Sequence, residues 1–412
     1  MSEQEKGGSH LFRAAVVACL ALGGMSAAAD DPAAAPADAW PLVRGCLAGT
    51  GRSAAPLRLP LVEAWRRDFE KTAFGATPVI AADTLYVGDL DGTFHALAVD
   101  TGATRWTYKA EEAGFPSAAA VSLDPALPLV VVGDDAGVVR AFDRATGELK
   151  WTYTTDGEIS GGPTIIAAAA GPQLLVGSQD ASLSCLSLAD GTVAWKHSIA
   201  DQIRCAPTVA ETPQGPRVFI AGCDGKLHVI DAATGEATAA VAIDGPTGTT
   251  PAAAGDRVFF GTEGGSFFAI DVVKNEVAWR MQAAVAGQSY RSSAALTAGL
   301  AIVGSRGRAV EAFGRTDGGR VWRTPMRGRV DAAPVIVMAS GGEGDAAAAQ
   351  PREVAIVADA AGKIVALDAA TGGKAWEFDA GGRFTAGPAI AAGRVVIASD
   401  DGTVWCFTSG DR

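Results

Sequence analysis

The six cysteines of this 412-residue chain make no CxxC and no CxxCH spacing, so neither a zinc ribbon nor a covalently held haem is indicated. Histidine is scarce. His10, His95, His197 and His228 stand far apart, and none belongs to a cluster with metal-ligand spacing. Basic stripes are missing too: Lys and Arg number 34 against 46 Asp and Glu, and a formal net charge of -12 gives no electrostatic grip on a phosphate backbone. Nucleic acid is therefore not an expected partner. Nothing beyond the leader approaches the ~18 apolar residues that span a bilayer, which excludes a transmembrane anchor from the expected architecture. A 3.6-residue hydrophobic period is absent, so the chain does not read as helical. Serine-rich phrases such as Ser289–Ser293 lack a matched His/Asp arrangement, and the glycine turns lead into strands, not into the helix that a phosphate-binding loop requires.

What the chain does have is glycine, 51 of them, and one recurring phrase. AFDRATGELKW at Ala141–Trp151 carries Asp143, Thr146, Gly147 and Trp151; ALDAATGGKAW at Ala366–Trp376 carries Asp368, Thr371, Gly372 and Trp376. Weaker copies bring the turn-bearing hairpin to eight. The strand after the turn starts at or near Trp106, Trp151, Trp195, Ala239, Trp279, Trp322 and Trp376, at spacings of 40 to 54 residues. A unit of that length with four short strands is a propeller blade. The longest interval is explained by GGEGDAAAAQPR at 341–352, read as a surface-loop insertion.

The eighth copy has no strand after its turn, because the chain ends. The missing strand lies at the other end, where VEAWRRDF at Val62–Phe69 has Trp65 in place and no hairpin before it. The expected fold is all-β: an eight-bladed propeller of four-stranded antiparallel blades over 59–409, closed by an N-terminal strand that completes the last blade. Each innermost strand is marked by a small-residue or proline phrase, such as GATPVI, GGPTII or AAPVIV, which suits a crowded central channel. The tryptophans suit the seams between blades, where each ring buries roughly 150–250 Å². Asp143, Asp231, Asp271 and Asp368 are expected to cap turns through side-chain bonds to backbone N–H groups.

Residues 1–29 read as a secretory signal: Lys6, His10 and Arg13, then an apolar run Ala14–Leu22, then Ala27–Ala29 before Asp30. Val16–Cys19 also satisfies a bare lipoprotein signal, but it leaves Ala14–Ala18 as a core shorter than the roughly 7 residues such signals need. Residues 30–58 read as a disordered spacer, DDPAAAPADA, followed by a strap pinned by Trp40. After cleavage five cysteines remain, an odd count; Cys205 and Cys223 are close enough in the repeat for a disulfide to be considered.

The AxDxxTGxxxW phrase resembles the PQQ-like repeat of quinoprotein alcohol dehydrogenases and of BamB-type outer-membrane assembly proteins, from about Leu59 to Ser409. This resemblance implies an eight-bladed propeller. Some copies depart from the pattern: Ser187 and Gly314 replace the Asp, Asn275 the Gly, and Ala239 the Trp. The opening WPLVRG…TGRS also looks like the leader of PQQ-like propellers of bacterial envelopes. The dehydrogenases of this family hold PQQ with calcium and carry a vicinal cysteine pair, which this chain lacks.

Variation concentrates just before each inner strand, where loops gather around the channel mouth: Phe74, Phe115, Glu158, Thr247 and Phe384 accompany the polar candidates Gln202, Arg204, Gln288, Tyr290, Arg291, Arg329, Asp331 and Arg383. Mixed arginine, glutamine and aromatic residues on a concave rim suit an anionic small molecule, a peptide or a partner loop. The expectation is an exported, periplasmic or envelope-associated, monomeric, non-enzymatic binding propeller with a protein or peptide partner. Neither a metal nor a cofactor is expected. The alternative is a PQQ- and calcium-dependent oxidoreductase. A propeller lyase or hydrolase has no paired carboxylates to support it.

Overall fold

Short apolar runs such as LVVVG at Leu129–Gly133, buried on both faces, and alternating runs such as LKWTYT at Leu149–Thr154, which bury one face, are broken by Asp-Gly turns into short strands. In the computed structural model, which describes residues 33–284, 288–341 and 350–410, these strands form eight antiparallel sheets. The sheets are the blades of an eight-bladed β-propeller. No helix long and apolar enough to cross a membrane occurs among the described residues.

Blade 2 illustrates the unit: Ala120–Val121, Leu129–Gly133, Val138–Asp143 and Leu149–Thr154, paired in sequence order from the channel outward. The third and fourth strands are joined by the repeat turn. There Asp143 Oδ1 accepts from the N–H groups of Ala145 (3.0 Å) and Thr146 (2.9 Å) and from the Thr146 hydroxyl (3.0 Å); Asp368 does the same for Ala370 and Thr371. Those bonds hold the Asp143 carboxyl below the usual range, the Thr146 N–H foremost. The core lies between blades, not within them: Val79, Phe94 and Trp106 of blade 1 pack with Phe115, Val132 and Phe142 of blade 2 in one cluster.

Strand β3, Leu61–Asp68, pairs antiparallel with Thr403–Ser409 in the register Trp65↔Cys406. The ring is thus closed by the N-terminal strand, as expected.

The segment before it differs from expectation. The stretch read as a disordered spacer is ordered from Ala33: Ala35 is fully buried, its N–H bonds to Arg52 O (2.8 Å), and it bridges Ser53. Strand β1, Ala39–Trp40, adds to the innermost strand of blade 1, and β2, Arg52–Leu59, runs parallel to that of blade 7. Between them the strap circles inside the ring. Carbonyls of Pro41, Leu47, Ala48, Thr50 and Gly51 accept from the inner strands of blades 2, 4, 5, 6 and 7, and Ala37 O from Ala392 of blade 8. Small residues at the channel wall leave room for a second backbone, and the inner strands supply N–H groups that would otherwise lack partners. The leader 1–29 lies outside the described residues. So do residues 342–349 of the insertion, whose flanking Gly341 and Arg352 end and begin strands.

Cys205 and Cys223 are separate free thiols, their sulfurs directed at Ala221 O and Thr247 O respectively.

Candidate functional site

The approach to each inner strand is extended, so successive side chains alternate between the blade seam and the channel. One column is buried in all eight blades: Phe74, Phe115, Ile159, Ile203, Thr247, Tyr290, Val330 and Phe384. The next residue in each blade lines the channel mouth, giving the ring Gly75, Pro116, Ser160, Arg204, Gly248, Arg291, Asp331 and Thr385. Two positions further on, a second ring of Thr77, Ala118, Gly162, Ala206, Thr250, Ser293, Ala333 and Gly387 narrows the opening. Val43 and Arg44 of the strap form the floor of this cavity of about 180 Å³.

Arg44 is a fixed part of that floor. Its Nη2 donates to Ala294 O (2.9 Å) and Pro334 O (2.8 Å), bridging blades 6 and 7. Burial lowers its guanidinium to about 10, still well above neutrality.

The structure sorts the predicted rim residues into three groups. Arg204, Arg291 and Asp331 reach the mouth itself. Arg204 is exposed and donates through Nε to Gln202 Oε1 (2.8 Å), a neutral partner, with Glu158 as a nearby carboxylate that its charge acts on; Arg291 pairs with Glu263 (2.6 Å). Asp331 is gripped by Arg306 through two bonds of 2.9 Å and by Arg329 at 3.3 Å. Arg329, Arg383 and Gln288 form a second group, lining a separate groove on the rim between blades 6, 7 and 8.

Tyr290 forms the third group alone and is a correction: it is 1% exposed and belongs to the seam, not the rim. It packs on Gly261, where a Cβ would lie 2.2 Å from its own, and its hydroxyl donates to Glu311 Oε2 (2.9 Å). Glu311 is itself buried and also faces Arg320 (3.3 Å) and Arg323 (3.8 Å). Burial, then the Glu311 charge, pushes the Tyr290 phenol far up. Phe74, Phe115 and Phe384 are buried for the same reason of register. Glu158, half-buried at the rim of blade 3, has its carboxyl raised by burial and by the neighbouring Asp135. Sequence reading missed the alternation, Ser160 and Thr385. The signal was available, because the seam column is apolar in six of eight copies when the blades are aligned.

Calcium takes about 6–8 oxygen ligands, carboxylates prominent among them. The mouth offers one carboxylate, Asp331, already held by two arginines, and no group of three or more His, Cys, Asp or Glu suited to a metal occurs among the described residues. That donor set does not fit a calcium-bound quinone.

A family model described as outer membrane protein assembly factor BamB matches residues 62–204, 211–311 and 305–412. The chain belongs to this BamB family. Among solved structures, BamB from Moraxella catarrhalis aligns with a TM-score of 0.63 at 17% identity, covering 85% of this chain and 100% of that one. The computationally designed Ika8 protein aligns at 0.65 and 16%, covering 84% and 99%. A europium-containing methanol dehydrogenase aligns at 0.64 and 12%, covering 90% and 98%. At such identities these likenesses speak for the fold. No curated protein matches the chain in sequence. BamB membership and propeller architecture therefore agree with the PQQ-like resemblance of the repeat phrase.

Proposed function

We propose that this chain is an exported, non-enzymatic binding propeller of the cell envelope that holds a protein or peptide partner on its channel-mouth face. One observation carries the reading: the chain's own strap floors the channel, leaving a mouth of about 180 Å³ ringed by Arg204, Arg291, Asp331, Ser160 and Thr385. Small-molecule sites generally offer about 300–1,000 Å³ with largely apolar walls. This mouth is smaller and rimmed by charge, which suits a loop or extended segment laid across it. Arg204 and Arg291 favour a carboxylate-bearing or carbonyl-rich segment. The family description, an outer-membrane assembly factor, and the secretory pattern of residues 1–29 support placement in the envelope.

The resemblance of the repeat phrase to that of quinoprotein dehydrogenases supplies a second reading, a PQQ- and calcium-dependent oxidoreductase. Two measurements separate the readings. A photo-crosslinker placed at Ser160 or Thr385, beside the mouth arginines, is expected to trap one defined envelope protein in cells, while the same probe at Arg105 on blade 1 traps none. Titration with PQQ and calcium is expected to give no absorbance change and no thermal shift. Alcohol-dependent dye reduction by the reconstituted protein, without mouth-specific crosslinks, would overturn the binding reading.

A further inference from the structure

The groove between blades 6, 7 and 8 encloses about 710 Å³ and is lined by Arg306, Arg308, Arg327, Arg329, Arg383 and Gln288. Five arginines line it in a chain whose net charge is -12. Their paired carboxylates are three: Asp331 for Arg306 and Arg329, Asp379 for Arg327 (3.1 Å), and Asp400 for Arg383 (3.1 Å). The buried Asp359 beneath the groove is satisfied by backbone N–H groups of Gly328, Ala361 and Lys363, and Lys363 approaches Asp379 (3.5 Å). Glu263 also acts on Arg306, and Asp401 accepts from the Arg383 N–H (2.8 Å), whereas Arg308 has no ion-pair partner among the described residues.

Arg308 is unusual in a second way. It occupies the last position of the turn between the second and third strands of its blade, with φ of 55°. In six other blades this position is glycine, at Gly92, Gly137, Gly225, Gly265, Gly362 and Gly402, all with positive φ; blade 3 has Ala181. A long side chain there costs roughly 1 kcal/mol of backbone strain, and such strain is characteristically held where a side chain has work to do. The residue it retains is an exposed arginine on the groove lining, with no ion-pair partner among the described residues.

From this cluster of arginines we infer that the groove binds a compact oxyanion of the phosphate class carrying two or more negative charges. Planar guanidinium groups match phosphate oxygens in paired bonds. An acidic peptide fits less well, because the backbone groups of the groove are already used. Gly307 N–H donates to Ser305 Oγ, Gly328 and Ala361 to Asp359, and Ala360 to Arg329 O, so no free strand edge remains for an extended chain to pair with. The site stands independently of the partner reading for the mouth.

Inorganic pyrophosphate titrated into the whole protein by calorimetry at low ionic strength is the direct test. One site is expected, weakened at least about tenfold in Arg308→Gly/Arg327→Gln and unchanged in Arg105→Ala. Glycine suits the backbone at 308, so the double variant should melt at or above the temperature of the parent protein, keeping any loss of binding attributable to the groove. Co-sedimentation with phosphatidylcholine vesicles, with and without phosphatidic acid, identifies the source. Arginine-dependent sedimentation only with phosphatidic acid assigns a lipid phosphate, and its failure alongside pyrophosphate binding assigns a soluble one. Absence of pyrophosphate binding, equal binding by the folded double variant, or binding of an acidic peptide but not pyrophosphate overturns the inference.

Discussion

The indole of Trp106 fills the space that a side chain at Gly147 would need: a Cβ there would lie 2.6 Å from the ring, and the ring Nε1 donates to Arg144 O (3.1 Å). The tryptophan of one blade is thereby latched to the turn of the next. Trp65 does the same to Gly102 and Val99 O (2.9 Å), Trp151 to Gly191 and Leu188 O (3.0 Å), Trp279 to Gly318 and Arg315 O (3.0 Å), and Trp322 to Gly372 and Ala369 O (2.9 Å). Two departures from the repeat then explain each other. Blade 4 has Ala239 where the tryptophan belongs, and blade 5, which follows it, has Asn275 in place of the turn glycine, at φ 57°. With no indole to accommodate, a side chain is tolerated.

Gly147→Ala is therefore expected to cost about 2–5 kcal/mol, combining positive-φ strain with overpacking against Trp106. Asn275→Ala is expected to cost no more than about 1 kcal/mol, since it meets only the backbone penalty. Urea unfolding of the two variants compares them; equal losses would refute the latch.

The strap is a structural member of the ring. Trp40 is fully buried, and a Cβ at Gly45 would lie 2.8 Å from its ring. Trp40→Ala should lose about 3–5 kcal/mol, and Arg44→Leu about 1–3 kcal/mol for each carbonyl left without its donor, at Ala294 and Pro334. Thermal melts check both; melts matching the parent protein would mean the strap only rests on the ring.

Tyr290 and Arg291 are adjacent in sequence and opposite in role. Tyr290→Phe removes a hydrogen bond to a buried carboxylate and should cost about 1.5–3 kcal/mol while leaving mouth crosslinks intact. Arg291→Glu should change stability by less than about 1 kcal/mol, its pair with Glu263 being half-exposed, and abolish the crosslink. The reverse pattern would return Tyr290 to the rim.

His228 gives a pH dependence. Its imidazole is buried beside Asp224 (2.9 Å), and burial, outweighing that carboxylate, holds its pKa below the usual value. The folded state thus favours the neutral ring, whereas the unfolded chain takes up the proton near pH 6.5. Stability from this site is present above about pH 6.5 and falls as pH drops through it. Denaturant midpoints between pH 7.5 and 5.5 should decline less steeply in His228→Gln; parallel declines would assign the slope to other groups.

Much of the fold was legible in the sequence because it is written locally and repeated. Asp143, Thr146 and Gly147 encode a turn within five residues, Trp151 marks the strand after it, and eight recurrences with an orphan strand at Trp65 fix blade number and closure. The site was only partly legible. Arg204, Arg291 and Asp331 do line the channel mouth, but Tyr290 was placed with them, because a segment just before a strand does not announce which of two neighbours faces the seam.

That phase is set by pairing with the rest of the blade, and hence by tertiary structure. So are the path of the strap, whose small residues carry no periodic signal, and the arginine groove, whose members span Arg306 to Arg383 and meet only when three blades stand side by side. The repeat by itself determined the ring, through short-range turn chemistry and seam packing; closing the ring decided what lies inside the channel and which charges gather on its rim.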